Sequence, residues 1–223
     1  MSRPVTIQDA AVLAAAAQVF LEHGYQASTA VIARRAGISE GSLFKRFHTK
    51  TELFLAAMDV QSREPEWQDR LLAGVGRVAM ATALAAYGQH LLERLQTVMP
   101  RILMVTSSGL RFAENYHPTP CPPPLQHVAL LTQYLLAEQR AGGLHLTHPA
   151  IQADIFVGAI SHCVFCETLF GRRTISHADY IRTLVENILR AGQTAVPPSR
   201  VPPTPRRRTV PRKSATTQGA TQS

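Results

Sequence analysis

The chain has 223 residues, 45 % apolar and 17 % charged, enough for one substantial core or for a small head on a larger body, and its formal charge is +8. That charge is unevenly placed: residues 1–60 carry six basic and five acidic side chains, residues 61–193 eleven and ten, and residues 194–223 six and none. Net charge alone therefore cannot argue for a nucleic-acid partner of the folded part, while three cysteines in a chain of this length exclude a short disulfide scaffold and suit a reduced, cytoplasmic setting.

Taken in chain order, the apolar pattern predicts helices throughout and no strand. A first helix is expected over about Thr6–Glu22, with Ala10, Leu13, Ala14, Ala17, Phe20 and Leu21 on one face and Gly24 as its stop. The stretch Ala10–Leu21 behind Arg3 has the look of a signal-peptide apolar region, but Asp9 and Gln18 break it and no small-residue cleavage site follows. A short helix is expected over Thr29–Ala36, capped by Thr29, and Gly37 ends it where a left-handed residue is needed. Ser39 caps a second short helix to Phe47, and Thr49-Lys50-Thr51-Glu52 reads as a capping box opening a third, which turns Leu53, Phe54, Ala57 and Met58 inward.

Beyond Pro65 the segments lengthen, with helices expected near 66–98, 100–115, 124–141, 149–170 and 177–191. The proline-rich run 117–124 breaks the pattern, as does Ala141-Gly142-Gly143. The apolar run Asp154–Gly171 is interrupted by His162 and Glu167, which argues against a membrane span. From Thr194 the chain is rich in Pro, Thr, Ser and Arg without apolar periodicity, so a disordered tail is expected. Its Arg206-Arg207-Arg208 and Arg212-Lys213 would either add salt-sensitive, sequence-independent DNA affinity or simply keep the protein in solution.

The informative stretch is Thr29–Lys50. Two helices this short are not stable alone, so Ile32, Ala33, Ala36, Ile38, Leu43 and Phe47 must pack on the flanking helices, leaving Ser42, Lys45 and Arg46 outward. A helix pair joined by Gly37-Ile38-Ser39 has the geometry that lays its second helix in a DNA major groove. Ser39, Gly41 and the helix start would lie near phosphates or base edges, Lys45 and Arg46 are long enough to reach either, and Thr29 and Lys50 would clamp the backbone.

Residues 7–58 resemble the DNA-binding domain of TetR/AcrR-type transcriptional regulators. The matching pieces are F-L-E-H-G-Y at 20–25, S-T-x-x-I-A at 28–33, A-G-I-S-E-G-S-L-F at 36–44 and F-x-x-K-x-E-L at 47–53. The resemblance implies an all-α fold: a three-helix helix-turn-helix domain over 1–60 and a helical ligand-binding and dimerisation domain over 61–193, followed by the tail at 194–223. It further implies a homodimer that represses transcription from operator DNA until a small-molecule effector releases it. Apart from the resemblance, no Ser/His/Asp set stands out among nine scattered histidines, so no enzymatic activity is expected, nor a cofactor, resident metal or membrane partner. Carried over by position, the DNA contacts fall on Thr29, Ser39, Gly41, Ser42, Phe44, Arg46 and Lys50, with Lys45 added from its place on the exposed face. Two positions depart from the pattern: Phe44 lacks the hydroxyl usual there, and Glu40 stands where a basic residue is frequent.

Three weaker expectations concern the larger domain. An effector pocket is expected among the middle helices, lined by Met104, Phe112, Tyr116, Tyr134 and Phe165. The stripe Ile181, Leu184, Val185 and Ile188, with Ile155 and Ala159 on the preceding helix, suits a four-helix dimer interface, the alternative being an intrachain core. Finally, Cys163-Val-Phe-Cys166 beside His162 has the spacing of a thiol or metal site, which keeps a thiol- or metal-dependent sensor or enzyme as the rival to a DNA-binding regulator; packing is the bland alternative.

Overall fold

The structure is a computed structural model and describes residues 7–59, 65–110, 123–171 and 175–194. Among these the chain is helical with no strand. The elements are α1 (Ile7–His23), α2 (Thr29–Arg35), α3 (Glu40–Arg46), α4 (Lys50–Ala57), α5 (Pro65–Ala73), α6 (Met80–Ser107), α7 (Pro123–Arg140), α8 (Pro149–Phe170) and α9 (His177–Thr194). The expected proline break at 117–124 lies largely outside the described residues, as do the tail beyond 194, Phe112 and Tyr116.

Helices α1–α4 close on one core of Val12, Ala16, Val19, Phe20, Ile32, Ala33, Leu43, Leu53 and Phe54. The Phe20 and Phe54 rings meet edge-to-face with centroids 5.0 Å apart, and Tyr25 meets Phe54 the same way at 4.8 Å. The inward face of α1 differs from expectation. Val12, Ala15, Ala16 and Val19 are buried beside Ala17 and Phe20, whereas Ala10, Ala14 and Leu21 are exposed. This helix is alanine-rich and apolar nearly all round, so periodicity alone does not select the buried side.

A second core lies within a bundle of α6–α9, with α5 packed against α6 and α7. Leu84, Tyr87, Leu91 and Leu92 of α6 meet Leu131 and Tyr134 of α7, Phe156 and Ile160 of α8, and Ile181 and Val185 of α9. Gly88 lets α6 approach its neighbours closely: a Cβ there would sit 2.9 Å from Ile181 Cγ2 and 3.1 Å from Phe156 Cζ. Burial, and secondarily the nearby Glu138, push the Tyr134 hydroxyl far above the ordinary tyrosine range, so it stays a neutral phenol.

Two expected boundaries shift. The stretch read as one helix over 66–98 is broken at 74–79, and α6 instead runs unbroken through Pro100. Interior proline forfeits one backbone hydrogen bond and costs about 3 kcal/mol. The buried residues on both sides, Leu91, Leu92, Leu95 and Val98 before it and Val105 after it, offset that cost. α6 thereby spans both cores: its far end places Val105, Met104 and the following Leu110 against the N-terminal core, and Arg101 donates to the Asp59 carbonyl at 3.2 Å.

α8 is long and apolar enough by length and composition to cross a membrane, but here it packs on α6 and α7 and carries Asp154 and Glu167. α9 starts from a reciprocal cap in which Ser176 Oγ accepts from the Asp179 amide at 3.1 Å and donates to the Asp179 carboxylate at 2.6 Å. That hydroxyl, and then Arg182, hold the Asp179 carboxyl below its ordinary range.

Candidate nucleic-acid interface

The α2–turn–α3 unit is set by local chemistry. Gly37 takes a left-handed backbone at φ 68°, and the Ile38 amide returns to the Ala33 carbonyl at 3.0 Å, closing α2. Ser39 caps α3 as expected, its Oγ accepting from the Ser42 amide at 3.1 Å. The cap of α2 differs: Ser28 occupies that position without a side-chain bond, and Thr29 is the first helical residue. Thr49 caps α4 by accepting from the Glu52 amide at 3.0 Å, while Glu52 reaches back to the His48 amide at 3.0 Å, one residue before the position a simple capping box uses.

One side of α3 is spent on the core, with Leu43 fully buried. The other presents Ser39, Gly41, Ser42, Phe44 and Lys45, all exposed. A Cβ added at Gly41 would meet nothing within 4 Å, so this chain's own packing does not require glycine there. Lys50, at the start of α4, lies with its ammonium 5.2 Å from the Tyr25 ring centroid, and the Tyr25 hydroxyl is 2.8 Å from Thr51 Oγ1. Tyr25 is thus a platform for Lys50, a role its place in the F-L-E-H-G-Y stretch did not reveal.

Two residues expected to face DNA have partners within the chain. Arg46 Nη1 donates to Asp9 Oδ1 at 2.7 Å, with the two side chains 25 % and 14 % exposed, so it ties α3 to the start of α1 instead of standing outward. Thr29 Oγ1 donates to Glu40 Oε1 at 2.5 Å. The unusual Glu40 therefore faces Thr29, and the hydroxyl expected to clamp phosphate is engaged by it. Arg35 pairs with Glu22 at 2.8 Å. Among the described residues, Arg34 and Lys45 have no carboxylate within ion-pair distance, and both are exposed.

Among the described residues, the three expected effector-pocket residues Met104, Tyr134 and Phe165 lie apart. Tyr134 is fully buried in the bundle, Met104 packs against the N-terminal core, and Phe165 lies on an exposed side of α8. Of the six residues expected at the dimer interface, most are covered within the chain itself. Ile181, Val185 and Ile188 are buried within this chain's own core, with Leu184 packed against it, because α9 turns its apolar face onto α6. Ala159 is half-buried, its carbonyl accepting from the Tyr180 hydroxyl at 3.1 Å. Of the six residues, Ile155 alone is largely open, at 53 % exposure. It belongs to a different stripe along α8: Ile151, Ile155, Gly158, His162, Phe165 and Leu169 are all exposed and spaced alternately four and three residues apart. Cys163 and Cys166 also part company, the first lying 3.9 Å from Glu167 Oε1 and the second 3.5 Å from His162 Nε2.

Comparison with known proteins agrees with this architecture. Residues 12–57 match the family model described as bacterial regulatory proteins, tetR family. Similar solved structures include a protein assigned to the TetR family of transcriptional regulators from Mesorhizobium loti, 17 % identical, with a TM-score of 0.63 over 85 % of this chain and 98 % of that one. The fatty acid degradation regulator FadR from Bacillus halodurans is 16 % identical, with a TM-score of 0.57 over 84 % and 97 %. NalD, the secondary repressor of the MexAB-OprM multidrug efflux pump in Pseudomonas aeruginosa, is 20 % identical, with a TM-score of 0.54 over 82 % and 96 %. Residues 12–57 thus match the tetR family of bacterial regulatory proteins, and the chain shares the all-helical fold of these solved structures.

Proposed function

We propose that the protein is a non-enzymatic, cytoplasmic transcriptional repressor that binds operator DNA as a homodimer and is released from it by a small-molecule effector. The observation that carries the reading is α3: its inner side is consumed by the core, while Ser39, Gly41, Ser42, Phe44 and Lys45 form an open face beside Glu40, whose carboxylate is engaged by Thr29. Such a helix enters the major groove and reads base edges with its side chains, while Lys50 and the Thr29 region meet the phosphate backbone. Arg46 acts behind it, fixing the tilt of α3 against α1.

The dimer is built on the outer stripe of α8. A four–three repeat of Ile151, Ile155, Gly158, His162, Phe165 and Leu169 is the spacing by which helices pair at a shallow angle, and Gly158 lets the partner backbone come close. Two-fold pairing places two α3 helices on one side of the assembly. Both reach the groove when they stand about one DNA turn, roughly 34–36 Å, apart or a multiple of it. An effector that favours another spacing lowers DNA affinity by its differential binding to the two states, and α6, embedded in both cores, is the element able to link them.

Selecting bound fragments from random DNA with the full-length protein tests the reading. It expects a two-fold symmetric sequence and two protomers, or a multiple, per site. Recovery of DNA without a shared sequence would overturn it.

A further inference from the structure

The corner where α8 meets α9 gathers three chemically different metal-ligating groups. Cys163 and Glu167 lie one turn apart on the same side of α8, and His177 is the first residue of α9. Their Sγ, carboxylate oxygen and ring nitrogen all fall within 4.8 Å of one another. His177 Nε2 is 2.9 Å from Glu167 Oε1 and 3.0 Å from Oε2, and Cys163 Sγ is 3.9 Å from Oε1. Cys163 is buried, while the Glu167 and His177 side chains are 21 % and 35 % exposed, so the cluster has a closed floor and one side open to water.

We propose that Cys163, Glu167 and His177 are three ligands of a zinc(II) site, distinct from the DNA-binding face and independent of the function proposed above. Zinc is bound by sulfur at about 2.3 Å and by nitrogen or oxygen at about 2.0–2.2 Å, which sets tetrahedral ligand atoms roughly 3.3–3.6 Å apart. The distances observed lie on both sides of that range, so an ion enters by widening the Glu167–His177 pair slightly and drawing Cys163 inward. A thiolate beside an imidazole and a carboxylate selects zinc over the hard cations magnesium and calcium. The fourth position, on the open side, is left to water.

Binding takes the thiol proton of Cys163 to solvent, and His177 coordinates as the neutral imidazole while Glu167 exchanges its contact with His177 for the ion. The site joins residues of both helices, so occupancy fastens α9 to α8, the helix that carries the exposed stripe. Cys166, whose partner is His162, belongs to the neighbouring ridge and is not a ligand. The Cys-x-x-Cys spacing therefore misleads: the second ligand is Glu167, four residues after Cys163, and the third comes from the next helix.

The test is a cobalt(II) titration of the full-length, reduced protein after chelator treatment, followed by zinc competition. One cobalt per chain is expected, with a thiolate-to-cobalt charge-transfer band that zinc abolishes. Cys163→Ser should remove the band, and Glu167→Gln and His177→Gln should each weaken zinc binding by about ten-fold or more. Cys166→Ser and Cys121→Ser should leave both unchanged. Should Cys163→Ser fail to fold by circular dichroism, the Glu167 and His177 variants decide, since both residues are partly exposed. The proposal is overturned if the folded wild type shows no such band, if the band survives in Cys163→Ser, if it vanishes in Cys166→Ser or Cys121→Ser, or if the Glu167 and His177 variants bind zinc as tightly as wild type.

Discussion

Arg46, on the helix proposed to face DNA, donates to Asp9 at the start of α1 across 2.7 Å, and both side chains are largely shielded from water. A pair this sheltered is screened less by water than an exposed ion pair, which is worth about 0–1 kcal/mol. Arg46→Ala and Asp9→Asn should each lower stability by about 1–3 kcal/mol, and a double-mutant cycle by thermal or urea unfolding should show strong coupling between them. Asp9→Asn removes no side chain from the DNA face, so any loss of operator affinity in it reports the tilt of α3 alone. Additive stability effects would show that the two residues act separately.

Lys45 and Lys50 are expected to act differently from the tail. Replacing either lysine by alanine should weaken operator binding and reduce the slope of log affinity against log salt by about 1. Deleting residues 195–223 removes six basic side chains and should reduce non-specific binding and its salt slope while sparing sequence preference. Fluorescence anisotropy with operator and scrambled duplexes at several salt concentrations separates the two. Unchanged slopes in the lysine variants would place the contact face elsewhere.

Gly41 sits within α3, yet an added Cβ there meets nothing. Gly41→Ala should therefore stabilise the protein by up to about 1 kcal/mol, since alanine favours helix. The same methyl group should obstruct close approach to DNA and lower operator affinity. Unfolding and binding measured on one preparation check both directions, and unimpaired binding would remove Gly41 from the interface.

The two apolar stripes of the larger domain should respond in opposite ways. Ile155→Arg or Phe165→Glu, on the open face of α8, should yield a folded monomer by analytical ultracentrifugation with little change in the stability of the protomer. Ile181→Ala, in the core against Gly88 and Phe156, should cost about 2–5 kcal/mol whatever the oligomeric state. A dimer that survives both α8 substitutions would exclude this face.

The helix-turn-helix was legible because its determinants are local. Gly37 must turn left-handed, Ser39 must cap, and Leu43 and Phe47 must face inward, all within a dozen residues. Where the information is non-local the sequence misleads. The Asp9 partner of Arg46 lies thirty-seven residues away, so nothing in the spacing marks the arginine as a tie within the chain. The regular stripe of α9 was visible, but periodicity gives a face and not what covers it. Here α6 covers it, leaving the looser pattern of α8, diluted by Gly158 and His162, as the open side. Pro100 is overridden by burial on both flanks, and the alanine-rich α1 gives no contrast between its sides.

If α3 reads bases in both half-sites of a symmetric operator, changing its side chains must change specificity. Selection from random DNA is repeated with Ser42→Ala and with Lys45→Gln, two exposed α3 residues outside the core. Each variant should alter preference at one base position and at its two-fold mate, leaving the rest of the site intact. If both variants select the same sequence as the unmodified protein, α3 does not read the operator.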